Sequence, residues 1–270
     1  MALRNPWSHK YDFGHLLIVG GNWKYSGSPG FNALAALRSG VDLATVAAPE
    51  RAANIVATFS PDMITVPLKG DYLSIKHVPQ LLDIIKNEKV TAVVIGGGMG
   101  RQKESFEAVE MLHSAADVPF VFDADAIHAI AATEIKLRSH DVITPHAGEF
   151  QALTGIKPSE EQATRIKQAE VAARQLGCVI LLKGYIDIVT DGKKTEIVRK
   201  NRFAVYMTKG GTGDVLTGIV GSLLAQKIPS FQAALQAAEI NGKSGEVAGK
   251  EKKAGMLASD LLELIPRFLK

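Results

Sequence analysis

The run Lys209-Gly210-Gly211-Thr212-Gly213-Asp214 carries the residue types that phosphoryl chemistry needs. It leads directly into the apolar stretch Val215–Ala225, which has the composition of a buried helix. Glycines let the backbone approach a ligand with no Cβ in the way. The unpaired N–H groups of a helix start, together with the helix dipole, attract an anion. A carboxylate at Asp214 opposes that field, so it suits a base that takes a proton from a group attacking phosphorus. On this reading Asp214 and the backbone of Gly211, Thr212 and Gly213 form the catalytic centre. The alternative local reading makes Gly213 a loop glycine and Asp214 an ordinary helix cap.

Three further segments hold polar residues at strand ends. Ile143-Thr144-Pro145-His146-Ala147-Gly148-Glu149-Phe150 follows an apolar run and opens a helix. Thr144 or His146 would cap that helix with Glu149 in its first turn; equally, His146 is a candidate ligand-binding side chain. In Phe122-Asp123-Ala124-Asp125 two acids can orient a hydroxyl, a water or a hydrated Mg²⁺. We assign Asp123 to the site and Asp125 to a helix cap. Lys183-Gly184-Tyr185-Ile186-Asp187 ends a strand and enters a hairpin. Lys183 either meets phosphate or snorkels from a sheet edge. Tyr25 either stacks on a ligand ring or packs within its loop.

These segments need elements to position them. Near-continuous apolar runs predict strands at His15–Gly21, Leu43–Ala48, Met63–Pro67, Ala92–Gly96, Phe120–Asp123, Val142–Thr144 and Val179–Lys183. Helical patterns lie between them, at Pro29–Ser39, Glu50–Phe59, Val78–Asn87, Gln102–Ser114, Ala126–Ala132 and Glu160–Leu176. Ile186–Thr190 and Thr195–Val198 then flank Asp191-Gly192, a hairpin signal. Helices are predicted over Thr212–Gln226, Ser230–Lys250 and Ala258–Leu269. The alternation implies an α/β fold, with a mostly parallel sheet between helical layers, in a single domain over residues 1–270. Ligands of such sheets bind beyond the carboxyl ends of the strands, where all these polar and glycine-rich segments fall.

The chain has 270 residues and a net charge of +3, from 31 basic and 28 acidic side chains, a balance that does not point to a nucleic-acid partner. Its one cysteine, Cys178, excludes an intrachain disulfide. Met1–Gly14 has no apolar core and is not a signal peptide. No stretch approaches the roughly 20 apolar residues of a membrane span, so a cytoplasmic location is expected. Neither Gly20-Gly21-Asn22 nor Gly96-Gly97-Gly98-Met99-Gly100 has the dinucleotide fingerprint, and no P-loop motif occurs.

Gly210–Asp214 followed by Val215-Leu216-Thr217-Gly218 resembles the anion-hole and catalytic-base signature of ribokinase-like enzymes. More narrowly, the chain resembles the ADP-dependent NAD(P)H-hydrate dehydratases. Carrying the resemblance are Gly20-Gly21 with Tyr25–Pro29, Ala35–Gly40, the glycine cluster ending at Gly100, Asp123–Ala126, Thr144–Phe150, Lys183-Gly184 and Gly210–Gly218, in order. The resemblance implies a three-layer α/β/α ribokinase-like fold and use of ADP or ATP, with Mg²⁺ bridging nucleotide oxygens and Asp123 nearby, to remove water from the (6S)-hydrates of NADH and NADPH. It implies hydrate contacts at Ser28, Gly100, His146 and Asp214, nucleotide contacts at Lys183, Gly184, Tyr185, Ile186, Asp187 and Gly213, and a homotetramer or larger assembly. Relatives often carry an epimerase domain upstream; the early first motif implies that it is absent here. The sequence departs from the pattern at Ser28 (usually alanine), Gly97 (often proline), Asp187 (often threonine) and Ala204–Lys209, which lacks an Asn-Pro-Gly-Met segment. Two rivals keep the same glycines: a small-molecule kinase using the same Asp214, and a non-catalytic nucleotide sensor.

Overall fold

The computed structural model describes residues 4–269; residues 1–3, the first of the N-terminal stretch, and Lys270 lie outside it. In chain order the elements are β1 (His15–Val19), α1 (Gly27–Arg38), β2 (Leu43–Pro49), α2 (Glu50–Val56), β3 (Ile64–Leu68), α3 (Val78–Asn87), β4 (Ala92–Ile95), α4 (Lys103–Ala115), β5 (Phe120–Phe122) and α5 (Asp125–Ala132). There follow β6 (Val142–Ile143), α6 (Ala147–Thr154), α7 (Gln162–Leu176), β7 (Val179–Leu182), β8 (Ile186–Thr190), β9 (Thr195–Arg199), α8 (Thr212–Ala225), α9 (Ser230–Lys252) and α10 (Ser259–Leu262).

The strands form one sheet in the order β3-β2-β1-β4-β5-β6-β7-β8-β9. β1 to β7 pair in parallel, whereas β8 and β9 pair antiparallel. Period-2 alternation divides the side chains between two cores. Leu16 and Ile18 of β1 join a cluster with α1, α8 and α9, while Leu17 and Val19 join one with α3, α4 and α5. Both faces of the sheet are therefore covered, which explains the unbroken apolar strands. The α/β class and three-layer architecture agree with the expectation from sequence.

Several boundaries moved for identifiable reasons. The predicted helix over Ala258–Leu269 is instead the short α10 followed by a 3₁₀ segment at Ile265–Phe268. Pro266 has no N–H to donate and its ring would clash with the carbonyl four residues back, at Leu262, where α10 ends. α2 stops at Val56, short of the predicted Phe59. α7 starts at Gln162 because Glu161 caps it, accepting from the N–H groups of Ala163 and Thr164. The hairpin forms as expected, with Asp191 Oδ1 accepting from the N–H groups of Lys193 and Lys194.

The strand order reverses direction between β1 and β4. Such a switch point leaves a crevice at the carboxyl edge of the sheet. The Gly21 N–H donates to Gly97 O across it, tying the two loops together.

Candidate active site

A cavity of about 800 Å³ opens at the carboxyl ends of β5, β6 and β7 and reaches the start of α8. That volume suits a nucleotide-sized ligand. Its wall brings together Ser28, Asp123, His146, Lys183, Gly184, Tyr185, Asp187 and Gly211–Asp214, residues spread over most of the chain. Gly100 and Ile186 are not on that wall. Gly100 lies in the neighbouring β4 loop, its N–H donating to Asp125 Oδ2 at 2.8 Å.

The start of α8 is built for close approach. Gly211 caps the helix with φ +96, a conformation that favours glycine. A Cβ there would stand 2.8 Å from Ala258 Cβ and 2.9 Å from Phe31 Cε2. The first backbone bond of the helix is Val215 N to Gly211 O. The amides ahead of Val215 therefore precede the helical ladder, as at every helix start. Asn32 of α1 donates to Asp214 O at 2.7 Å and docks this turn on the first helix. Thr212 Oγ1 donates to Met207 O and Lys209 O, closing the glycine loop.

Asp214 is not a cap, contrary to the simpler local reading: the cap is Gly211 and makes no side-chain bond. Its carboxyl faces the cavity, and a Cβ at Gly97 would stand 3.1 Å from Asp214 Oδ1. Its pKa is pushed up to about 7. Burial is the main cause and the Asp123 charge adds to it, against a Ser28 hydrogen bond and the Lys183 charge. A carboxyl poised near neutrality is what a general base requires.

Lys183 does not snorkel. Its ammonium lies inside, 2.7 Å from Asp123 Oδ1 and 3.7 Å from Glu149 Oε2. Burial disfavours that charge, but Asp123 and Glu149 outweigh it and hold the Lys183 pKa above the ordinary lysine value. Thr144 Oγ1 also donates to Asp123 Oδ1, at 2.7 Å. Asp125, expected from the sequence to be a cap, is instead the first residue of α5; its carboxylate accepts from Gly100 N and Arg101 Nε. The cap position falls to Ala124, so the Asp125 side chain is free to turn toward the β4 loop.

His146 is the cap of α6, the first of the two readings that the sequence left open. Its Nδ1 accepts from the N–H groups of Gly148 and Glu149, capping α6, while Glu149 Oε2 accepts from His146 N. The imidazole is nevertheless 60% exposed and lies on the cavity wall. Asp187 sits 2.6 Å from Lys200 Nζ and accepts from Gly184 N, so a lysine offsets this buried acid. Burial still raises the Asp187 pKa, with Lys200 opposing it. Tyr25 is half exposed and lies off the cavity wall, beneath Lys24.

Sequence reasoning missed three cavity residues. Lys200 follows an edge strand and reads as a surface lysine; only the fold brings it to Asp187. Glu149 reads as a helix-start acid, yet it also faces Lys183. Asn241 lies mid-helix in α9, where no local pattern distinguishes it. Among the described residues no group of three or more His, Cys, Asp or Glu side chains could hold a metal ion, and no helix is long and apolar enough to cross a membrane.

Comparison with known proteins places this geometry in a family. Residues 16–267 match the family model described as NAD(P)H-hydrate dehydratase. A bifunctional NAD(P)H-hydrate repair enzyme of Pyrobaculum aerophilum is 43% identical over 265 residues, covering 97% of this chain and 52% of that protein. The chain thus spans about half the length of such relatives. An ADP-dependent (S)-NAD(P)H-hydrate dehydratase of Nitrosopumilus maritimus is 36% identical over 268 residues, covering 99% of this chain and 92% of that protein. Among solved structures, the ADP/ATP-dependent NAD(P)H-hydrate dehydratase of Bacillus subtilis, co-crystallised with ATP and Mg²⁺, superposes with a TM-score of 0.83 at 27% identity, covering 99% of this chain and 93% of that one. Matched by the family model over almost its whole length and by a relative of similar length above 30% identity, the chain belongs to the NAD(P)H-hydrate dehydratase family.

Proposed function

We propose that the chain dehydrates the (6S)-hydrates of NADH and NADPH, using ADP or ATP as the phosphoryl donor. The observation that carries this reading is Asp214, whose carboxyl has a pKa of about 7 beside the first amides of α8. A hydrate hydroxyl leaves poorly; its phosphate ester leaves readily. Asp214 accepts the hydroxyl proton as that oxygen attacks the terminal phosphorus. The bond from that phosphorus to the rest of the nucleotide breaks, releasing AMP from ADP or ADP from ATP. The Gly211–Gly213 amides stabilise the charge developing on the transferred group. The ring nitrogen lone pair then expels phosphate, and loss of a proton restores the dihydronicotinamide.

In this reading Ser28, Gly100, His146 and Asp214 contact the hydrate. Lys183, Gly184, Tyr185, Ile186, Asp187 and Gly213 contact the nucleotide. Lys183 neutralises phosphate charge while Asp123 and Glu149 hold its ammonium in place. The protein's own residues do not build a magnesium cage: Asp123 Oδ1 is occupied by Thr144 and Lys183. Mg²⁺ would therefore arrive with the nucleotide, near Asp123, and would supply neutralisation of phosphate charge, while side chains and backbone amides carry the steps above. The chain, residues 1–270, acts as a single dehydratase domain. A cytoplasmic homotetramer is the expected setting, and light scattering reports the assembly.

The test is the return of reduced-cofactor absorbance from purified NADH hydrate with ADP, with ATP and with no nucleotide. Nucleotide-dependent recovery supports the reading. A stable phosphorylated alcohol, formed with ATP from a sugar, hydroxymethylpyrimidine or hydroxyethylthiazole and with no dehydration, would overturn it in favour of a kinase.

A further inference from the structure

Asn241 is only 4% exposed, and its Oδ1 has no hydrogen-bond partner. A buried polar atom left unpaired costs free energy that folding alone does not return. Asn241 is among the residues that line the main cavity, together with Ala204, Val205, Met207 and Leu216. Local packing fixes it there. Met207 rests directly on Gly245, one turn beyond Asn241, and the Lys200 stem lies against Gly242. The Lys200 ammonium is already satisfied, by Asp187 and by Gly184 O at 2.7 Å. This region therefore has apolar walls and one carboxamide whose oxygen is unpartnered, while the charged groups and helix-start amides line another part of the same cavity. Ser244 Oγ is also unpartnered, but it is not on the cavity wall.

We infer that Asn241 is a specificity-determining residue that reads the base of the nucleotide and selects adenine. This rests on the nucleotide reading of the cavity. A carboxamide offers one donor beside one acceptor. Adenine offers its amino group beside a ring nitrogen, the matching pattern, whereas the corresponding O6/N7 edge of guanine offers two acceptors. The flat ring lies against Val205, Met207 and Leu216. The diphosphate extends toward Gly211–Gly213.

The test compares ADP and GDP binding by calorimetry for the wild type, Asn241→Leu and Asn241→Ala, with thermal unfolding of the same proteins. A good bidentate base contact is worth about tenfold to a hundredfold in discrimination. Wild type should prefer ADP by roughly that factor. Asn241→Leu should lose the preference while unfolding at a temperature equal to or above wild type, since the unpaired atom is gone. Asn241→Ala, which leaves a hole instead, should lose the same preference at a lower unfolding temperature. In turnover, both variants should raise the KM for ADP and leave kcat within about threefold, as expected when only uniform binding is lost. If wild type binds ADP but either variant keeps the full ADP-to-GDP ratio, the assignment of Asn241 is wrong and the proposed function stands. The assignment is equally wrong if wild type binds both nucleotides with the same affinity. If wild type binds neither, the nucleotide reading fails and the role of Asn241 fails with it.

Discussion

Replacing Asp214 with asparagine should stabilise the protein and silence it. The wild-type carboxyl has a pKa raised from 3.8 to about 7, chiefly by burial and then by Asp123. Between those two values the folded chain keeps a proton that the unfolded chain has released. Stability therefore falls as pH rises through that window and levels off above about pH 7. At about 1.36 kcal/mol per unit, the full shift corresponds to roughly 4 kcal/mol at pH 8 and less than half of that at pH 5. Asparagine has almost the same shape and no charge, so the variant escapes this cost. It should gain about 3 kcal/mol on the wild type between pH 5 and pH 8. For a chain of this size each kcal/mol moves Tm by about 2–4 °C, so the two melting curves should separate by several degrees at pH 8 and converge in acid. Activity should move the other way. The carboxylate is the working form, so wild-type kcat/KM should rise about tenfold per pH unit toward a plateau above roughly pH 7, and the variant should lose about 10²- to 10⁴-fold. Thermal melts at pH 5, 6.5 and 8, with hydrate turnover at each, read both effects. Near wild-type turnover in Asp214→Asn would falsify the base assignment. A melting difference that does not change with pH would refute the electrostatic account of this carboxyl.

Other substitutions test the surroundings. Lys183→Met removes a charge that lowers the Asp214 pKa, so the acid limb of the rate profile should shift to higher pH and nucleotide KM should rise. Ser28→Ala removes a hydrogen bond to the same carboxylate and should shift that limb in the same direction without the KM change. Gly211→Ala forces a left-handed alanine against Phe31 and Ala258; Tm should drop, and turnover should fall by about 10²-fold if an anion-hole amide is displaced. Far from the cavity, Asp141 is fully buried, accepting from Arg138 N and Phe120 N and lying 2.8 Å from His113 Nε2. Burial opposes its ionisation, but these partners outweigh burial and hold its pKa below the usual carboxylate value. Its stabilisation is present above the unfolded pKa of about 3.8 and is lost as pH falls through the lower folded value. Asp141→Ala should cost about 3–5 kcal/mol in a denaturant titration at pH 7, because buried partners are left unpaired, with little change in nucleotide affinity.

Local sequence patterns determined most of the architecture. Apolar runs of three to seven residues, separated by amphipathic stretches, point to strands covered on both faces, and the central strands of the sheet have that form. Glycines followed by an apolar helix marked the start of α8, because free amides and a missing Cβ are properties of short segments. Pro266 was present in the sequence too, and its effect on the last helix is local; the apolar pattern masked it. Tertiary structure decided what each polar side chain faces. Lys183 had two readings until Asp123, sixty residues earlier, was brought within 2.7 Å of it. Asp125 read as a helix cap, but the fold gives that position to Ala124 and places Gly100 N against the Asp125 carboxylate. The neutral-range pKa of Asp214 arises from burial and from acids on two other segments, contributions that depend on distance through space. Asn241 and Lys200 carry no local signal at all: an amide on a helix and a lysine after a strand acquire meaning only from the cavity that α9 and the 200–209 segment close. The Gly210–Asp214 run named the chemistry, and the fold supplied the field and the walls in which that chemistry can act.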